Sequence, residues 1–253
     1  MNRYGGVVLG VVLASLTLVV PGEAQDALES RLGSDGWTGF EVATREGVQL
    51  CGMGTWRSSR RGFDPDRDCS EGSVLALVRT TGGRVIEIEH RPPRSTRGPD
   101  VDVDLGWVST GDAAAFLLDL VPGEDDEVAE DALGLAAMLD SVTIWPDLDR
   151  FASDRGLSGE VRQAALFWLG QAAADEATAS ITAVLDTPDE EVEIKEAAVF
   201  ALSQRPDEVA VRLLLDVAQG DYHPEVRESA FFWLSQFDDP RVLEFFREVL
   251  AGL

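Results

Sequence analysis

A mainly α architecture, in which an α-solenoid of helical hairpins follows a small β-rich (α+β) domain, is expected from three observations. Nearly the same twelve residues occur three times, as EVRQAALFWLGQ (160–171), EIKEAAVFALSQ (193–204) and EVRESAFFWLSQ (225–236). The hydrophobic pattern changes from short alternating runs to helical spacing after residue 108. The two cysteines, Cys51 and Cys69, both fall in the part that alternates.

Residues 1–24 read as an export signal. MNRY carries one positive charge, GGVVLGVVLASLTLVV is an apolar run of 16, and PGEA ends it with a helix breaker and small residues. Cleavage after Ala24 places Gly22 and Ala24 at the small-residue positions and starts the mature chain at Gln25. A retained anchor is the alternative, but the run is shorter than the ~20 residues a span requires. No cysteine stands at the junction, which argues against a lipid anchor. The expected location is periplasmic or secreted, with no membrane span in the mature chain.

Residues 25–108 form the expected β-rich domain. SVLALVRT, GGRVIEIEH and VDVDLGWV are short apolar or alternating runs, TTGG reads as a hairpin turn and PPRSTRGP as a loop. The pairing of the strands is not specified by these patterns. In an exported chain an even pair of cysteines reads first as a disulfide. Closing that loop contributes roughly 3 kcal/mol in the chain-entropy model. No histidine lies near for a metal site, and the spacing is not Cys-x-x-Cys.

Residues 109–253 read as helix throughout. DAAAFLLDLV is a leading helix with Ser109 or Thr110 as its N-cap. Four hairpins follow, at about 125–155, 156–188, 189–222 and 223–253. Their second helices are TIWPDLDRFASD, DEATASITAVL, DEVAVRLLLDVA and PRVLEFFREVLA. Arg162, Lys195 and Arg227 coincide at steps of 33 and 32, as do Phe167, Phe200 and Phe232, and Gln171, Gln204 and Gln236. EVAEDALGLAAML is a weaker first copy. A fixed period of this size means stacked hairpins. In the second copy Val161, Ala164, Ala165, Trp168, Leu169 and Ala172 make one stripe, while Leu166 and Phe167 fall well off it. A helix that is apolar on several bearings needs several neighbours, and only adjacent copies can supply them.

EVRQAALFWLGQ together with DPRVLEFFREVL resembles HEAT repeats of the short bacterial kind found in phycobilin lyase subunits, with a match over about residues 125–253. The layout as a whole resembles exported bacterial HEAT-repeat proteins with a small N-terminal region. The resemblance implies protein binding along an extended surface, since fold alone does not fix a function. It also implies that the second helices line the concave side. The family carries Glu or Lys where this chain has Phe167, Phe200 and Phe232, so that column is either a partner-binding stripe or packing between repeats. The glutamine column suggests an amide ladder. Arg162, Lys195 and Arg227, each two positions after Glu160, Glu193 or Glu225, suggest an exposed charge ladder worth under ~1 kcal/mol per pair. The last copy is the most aromatic, with Phe231, Phe232, Trp233, Phe237, Phe245 and Phe246. Either its final helix covers those rings, or the face docks on a partner or a second copy.

The formal net charge of −25 argues against nucleic acid and anionic lipid as partners. It suits solubility, a basic partner or divalent cations. Chemistry is hard to place. The HEAT-repeat enzyme deoxyhypusine hydroxylase holds iron through His-Glu pairs, but neither His90 nor His223 is followed by Glu. His90 reads as a loop residue before Pro92 and His223 as an inter-repeat turn residue. Asp64, Asp66 and Asp68, and likewise Asp100, Asp102 and Asp104, have the spacing of calcium ligands without completing a calcium loop. The second trio also suits a half-exposed strand. The resulting expectation is a non-enzymatic protein-binding scaffold of the cell envelope or exterior. It has no cofactor, catalytic set or metal site, and its candidate contact residues are Phe167, Phe200, Phe232, Trp233, Phe245 and Phe246. The competing readings are an accessory subunit or enzyme of a HEAT-like lyase or hydroxylase type, and a calcium-binding envelope protein.

Overall fold

The computed structural model describes residues 28, 32, 35–51, 69–93, 99–123 and 125–251. Residues 1–24, read above as an export signal, and Asp64, Asp66 and Asp68 lie outside the described residues.

The N-terminal strands β1 (Gly36–Ala43), β4 (Ser73–Thr81), β5 (Arg84–Arg91) and β6 (Val103–Trp107) form one mixed sheet in the order β5-β4-β1-β6. β4 and β5 are a hairpin whose last pair is Thr81 with Arg84. The two residues between, Gly82 and Gly83, have φ of +60° and +76°, the backbone a tight hairpin turn demands. β1 runs antiparallel to β4 over its full length, and β6 lies parallel to β1 on the other side. His90 belongs to β5 and is exposed, not part of a loop, because strand pairing with Ala76 continues up to the prolines. A separate ribbon pairs β2 (Gln49–Cys51) with β3 (Cys69–Glu71). Cys51 and Cys69 are direct cross-strand partners there and form the expected disulfide.

The helices follow the period of the sequence. After α1 (Thr110–Leu120) come the pairs α2 (Asp126–Met138) and α3 (Trp145–Ser153), α4 (Gly159–Gln171) and α5 (Asp175–Asp186), α6 (Val192–Ser203) and α7 (Asp207–Gln219), and α8 (Pro224–Leu234) and α9 (Pro240–Ala251). Ser109, Asp125 and Ser158 cap α1, α2 and α4 by accepting from the amides of Asp112, Val128 and Val161. Acidic residues in the first turns of α1 to α8 suit the positive end of each helix dipole.

Each inner hairpin is buried from more than one side. α4 packs on α2 and α3 of the preceding copy, on its own α5, and on α6 of the next. It therefore buries Val161, Ala165 and Leu169 on one bearing and Arg162, Leu166 and Gly170 on another. Helices α4 and α6 come so close that a Cβ built on Gly170 would lie 2.8 Å from the Ala201 carbonyl oxygen. On the other flank the Trp168 ring rests on Gly134 of α2.

The sheet joins this row. Its buried side chains, including Phe40, Val42, Val74, Val78 and Ile88, belong to the same apolar core as the helices. β5 packs on α2 and β1 on α1. The turn after α2 is tied to the end of β1 through Arg45 N–H to the Met138 carbonyl (2.9 Å) and Asp140 N–H to the Ala43 carbonyl (3.1 Å).

Candidate interaction surface

Helices α2, α4, α6 and α8 form one layer, and each turns one side outward. On α8 that side carries Glu225, Glu228 and Phe232; on α6 it carries Glu193, Glu196 and Phe200; on α4 it carries Glu160, Gln163 and Phe167. These positions recur at i, i+3 and i+7, so they share one bearing. On α2 the same positions hold Glu127, Glu130 and Gly134. All twelve residues are exposed or half-buried. Because the helices lie side by side, the positions line up across them as an acidic band beside an aromatic row.

The aromatic row departs from the expected column in its last member. Phe167 and Phe200 are half-buried and stack across α4 and α6 with ring centroids 6.0 Å apart. Phe200 is met from the other side by Trp233 at 4.8 Å, not by Phe232. Trp233, one position after Phe232 as Trp168 is after Phe167, packs back on the preceding helix and takes the place on Phe200. Phe232 is left edge-on to Trp233 at 5.0 Å and 57% exposed. The row is thus both packing and surface: contacts of this kind stabilise by about 0.5–1.5 kcal/mol each, and an open ring ends the row.

The remaining aromatic candidates divide. Phe245 is buried and stacks on Phe231 at 5.3 Å, with Phe246 at 5.6 Å, so α9 covers much of the aromatic material of its own hairpin. Phe245 is therefore off the accessible surface, while Trp233 and Phe246 are half-buried. Leu243 and Leu250 of α9 are exposed.

The column of cations is not a uniformly exposed ladder: Arg162 is buried, Lys195 half-buried and Arg227 exposed. Arg162 donates from Nε to the Ala152 carbonyl (3.0 Å) and from both terminal nitrogens to Glu190 (3.1 and 2.6 Å). Arg227 repeats the first of these bonds, donating to the Ala218 carbonyl at 3.1 Å. Lys195 sits over the Tyr222 ring, 6.0 Å from its centre. In two of the three copies, at Arg162 and Arg227, the position thus serves to hold the end of the preceding second helix, whose last carbonyls have no partner within their own helix. Arg205 does related work. Buried after α6, it donates to the carbonyls of Gly170, Ala172 and Ala174 around the end of α4. It does not recur at the repeat spacing, so periodicity gives no hint of it. Of the glutamines, Gln171 donates to Gln204 at 3.3 Å, whereas Gln236 lies in the turn after α8 and donates to Ser235.

The acidic band is under mutual repulsion. Burial, then the charges of Asp126, Asp131, Glu160 and Glu127, push the Glu130 carboxyl above its ordinary range. Burial, then Glu225, Glu193 and Glu228, raise Glu196, with His223 opposing. Asp131 is raised by burial and by Glu127, Glu87 and Glu89, against His90, so the band reaches strand β5. Of the remaining acidic candidates, Asp102 accepts from the Trp37 amide and Asp104 from the Gly106 amide, both at 2.8 Å. Among the described residues no three His, Cys, Asp or Glu side chains converge as metal ligands. No described helix is long and apolar enough to cross a membrane.

No curated protein matches the chain. Residues 153–231, from the end of α3 into α8, match the family model for HEAT repeats.

Proposed function

We propose that the protein is a non-enzymatic scaffold of the bacterial cell envelope or exterior, binding another protein through its solenoid surface. HEAT repeats generally serve protein–protein interaction, and the short type of the phycobilin lyase subunits is the one proposed here. The observation that carries the reading is the outward aromatic row of α4, α6 and α8, which ends in the open Phe232 ring. Exposed rings at the edge of a packed cluster are what partner surfaces use as anchors. The two histidines favour this over catalysis: His90 is on β5 and His223 at the start of α8, where its Nδ1 lies 3.5 Å from Glu225. Export accords with the Cys51–Cys69 bridge, since such bonds persist in oxidising compartments.

The test is capture of partners from envelope extract by the mature chain and by Phe232→Ser. A defined partner held by the first and lost by the second, with equal helicity, supports the reading. Capture of the same partner by both variants excludes this surface.

A further inference from the structure

The acidic band runs over α2, α4, α6 and α8 and the aromatic row over the last three, on one side of the layer, and the cations nearest to them face elsewhere. Arg162 is engaged with Glu190 and a backbone carbonyl, Arg227 with a carbonyl, and Lys195 with the Tyr222 ring. The face thus combines apolar rings with a line of carboxylates that, among the described residues, no arginine or lysine pairs with; His223 alone approaches, its Nδ1 3.5 Å from Glu225. Burial first, and then the neighbouring carboxylates, raise Glu130 and Glu196.

Resting on the scaffold reading, we propose that this face takes an extended, arginine- or lysine-rich segment of the partner protein, laid across α4, α6 and α8. The long side chains of such a segment have two parts that match the two bands. Their methylene stems and guanidinium planes lie against Phe167, Phe200, Trp233 and Phe232, and their charges reach Glu160, Glu193, Glu196, Glu225 and Glu228. The spacing follows from geometry. Packed helices are about 8–10 Å apart, and an extended segment in the polyproline II conformation rises about 3.1 Å per residue with three residues per turn, so that every third side chain points the same way. One basic residue in every three therefore meets each successive helix. Such a complex weakens as salt screens the outer contacts.

The test uses the whole mature chain and two fluorescent twelve-residue probes of identical composition. One has arginine at every third position among serines, and the other has its arginines bunched at one end. Any polycation is drawn to a protein of this charge, so net charge must be separated from placement. Glu193→Gln, Glu196→Gln, Glu225→Gln and Glu228→Gln are combined in one variant. Asp207→Asn, Glu208→Gln, Glu244→Gln and Glu248→Gln, all exposed on α7 and α9, form the control. By anisotropy the spaced probe is expected to bind at least tenfold more tightly than the bunched one. That binding falls at least tenfold in the first variant and in Phe232→Ser, and is nearly unchanged in the control. Both charge variants change only exposed or half-buried side chains, and equal far-UV helicity and urea unfolding of the two are required before their binding is compared. Equal binding of the two probes, or equal loss in the two charge variants, overturns the proposal as mere charge attraction. Failure of the spaced probe while an envelope partner is still captured overturns it too, and leaves the scaffold standing. Probe binding without any captured partner removes the scaffold reading alone.

Discussion

Arg162 and Glu190 show how far a side chain can depart from what its spacing suggests. Their side chains are 3% and 5% exposed, and the shorter contact is 2.6 Å. Burial by itself would raise the Glu190 carboxyl. Hydrogen bonds from Arg162 and from the Glu191 amide, with the charges of Arg162 and Arg155, more than offset that and hold it below its ordinary range. Removing one partner of such a pair strands the other, so Arg162→Ala should lower unfolding free energy by about 3–5 kcal/mol in urea. A loss below about 1 kcal/mol would mean the pair is effectively solvated. None of this is legible in EVRQ, since the acid two positions earlier is Glu160 and the true partner stands in the loop before α6. Arg205, single in the chain, is equally silent in sequence. Phe167 and Phe200 are the opposite case: their recurrence alone places them on one bearing.

The helices and strands differ in what their own pattern reveals. All four hairpins are legible because each repeats its neighbour, and the caps at Ser109 and Ser158 sit just before the expected first turns. The sheet order is not legible, because its strands are all short and similar in hydrophobic pattern. The parallel pairing of β1 with β6 depends on a connection through β4 and β5. Two expectations belong here. The carboxyls of Glu130, Asp131 and Glu196 are raised in the folded chain, so that chain takes up protons before the unfolded one as pH falls. Stability should therefore rise as pH drops from 7 through that raised range. Below the ordinary carboxylate range Glu190 acts the other way, and its contribution is lost as pH falls through its lowered value. Melting temperature should thus rise as pH falls from 7 into the raised carboxylate range and fall again below the ordinary one, and Glu130→Gln with Glu196→Gln should flatten the rise; a steady fall from pH 7 would refute this. For the β2–β3 ribbon, Cys51→Ser with Cys69→Ser should cost roughly 3 kcal/mol in urea unfolding. No change on removal would show that the ribbon is held by other contacts.

Taken together, the helices and the sheet make a row in which no hairpin closes its own core. The apolar cluster runs without a break from Phe40 of β1 to Phe245 of α9. Periodicity makes the sharing between hairpins legible. The docking of β5 on α2 is not, since nothing in either segment's pattern names the other. Gly170 tests the sharing by sign as well as by size. As a residue inside α4, replacing it with alanine should stabilise an isolated hairpin by up to about 1 kcal/mol through helix propensity. In the row its new methyl would press on the Ala201 backbone of the next copy. Urea unfolding of Gly170→Ala should then show a loss of about 1–3 kcal/mol. Gly134→Ala, whose Cβ would meet only the Trp168 ring at an ordinary 3.5 Å, should be neutral or stabilising. A gain at Gly170 equal to that at Gly134 would contradict the account, because α4 and α6 would then not be in backbone contact.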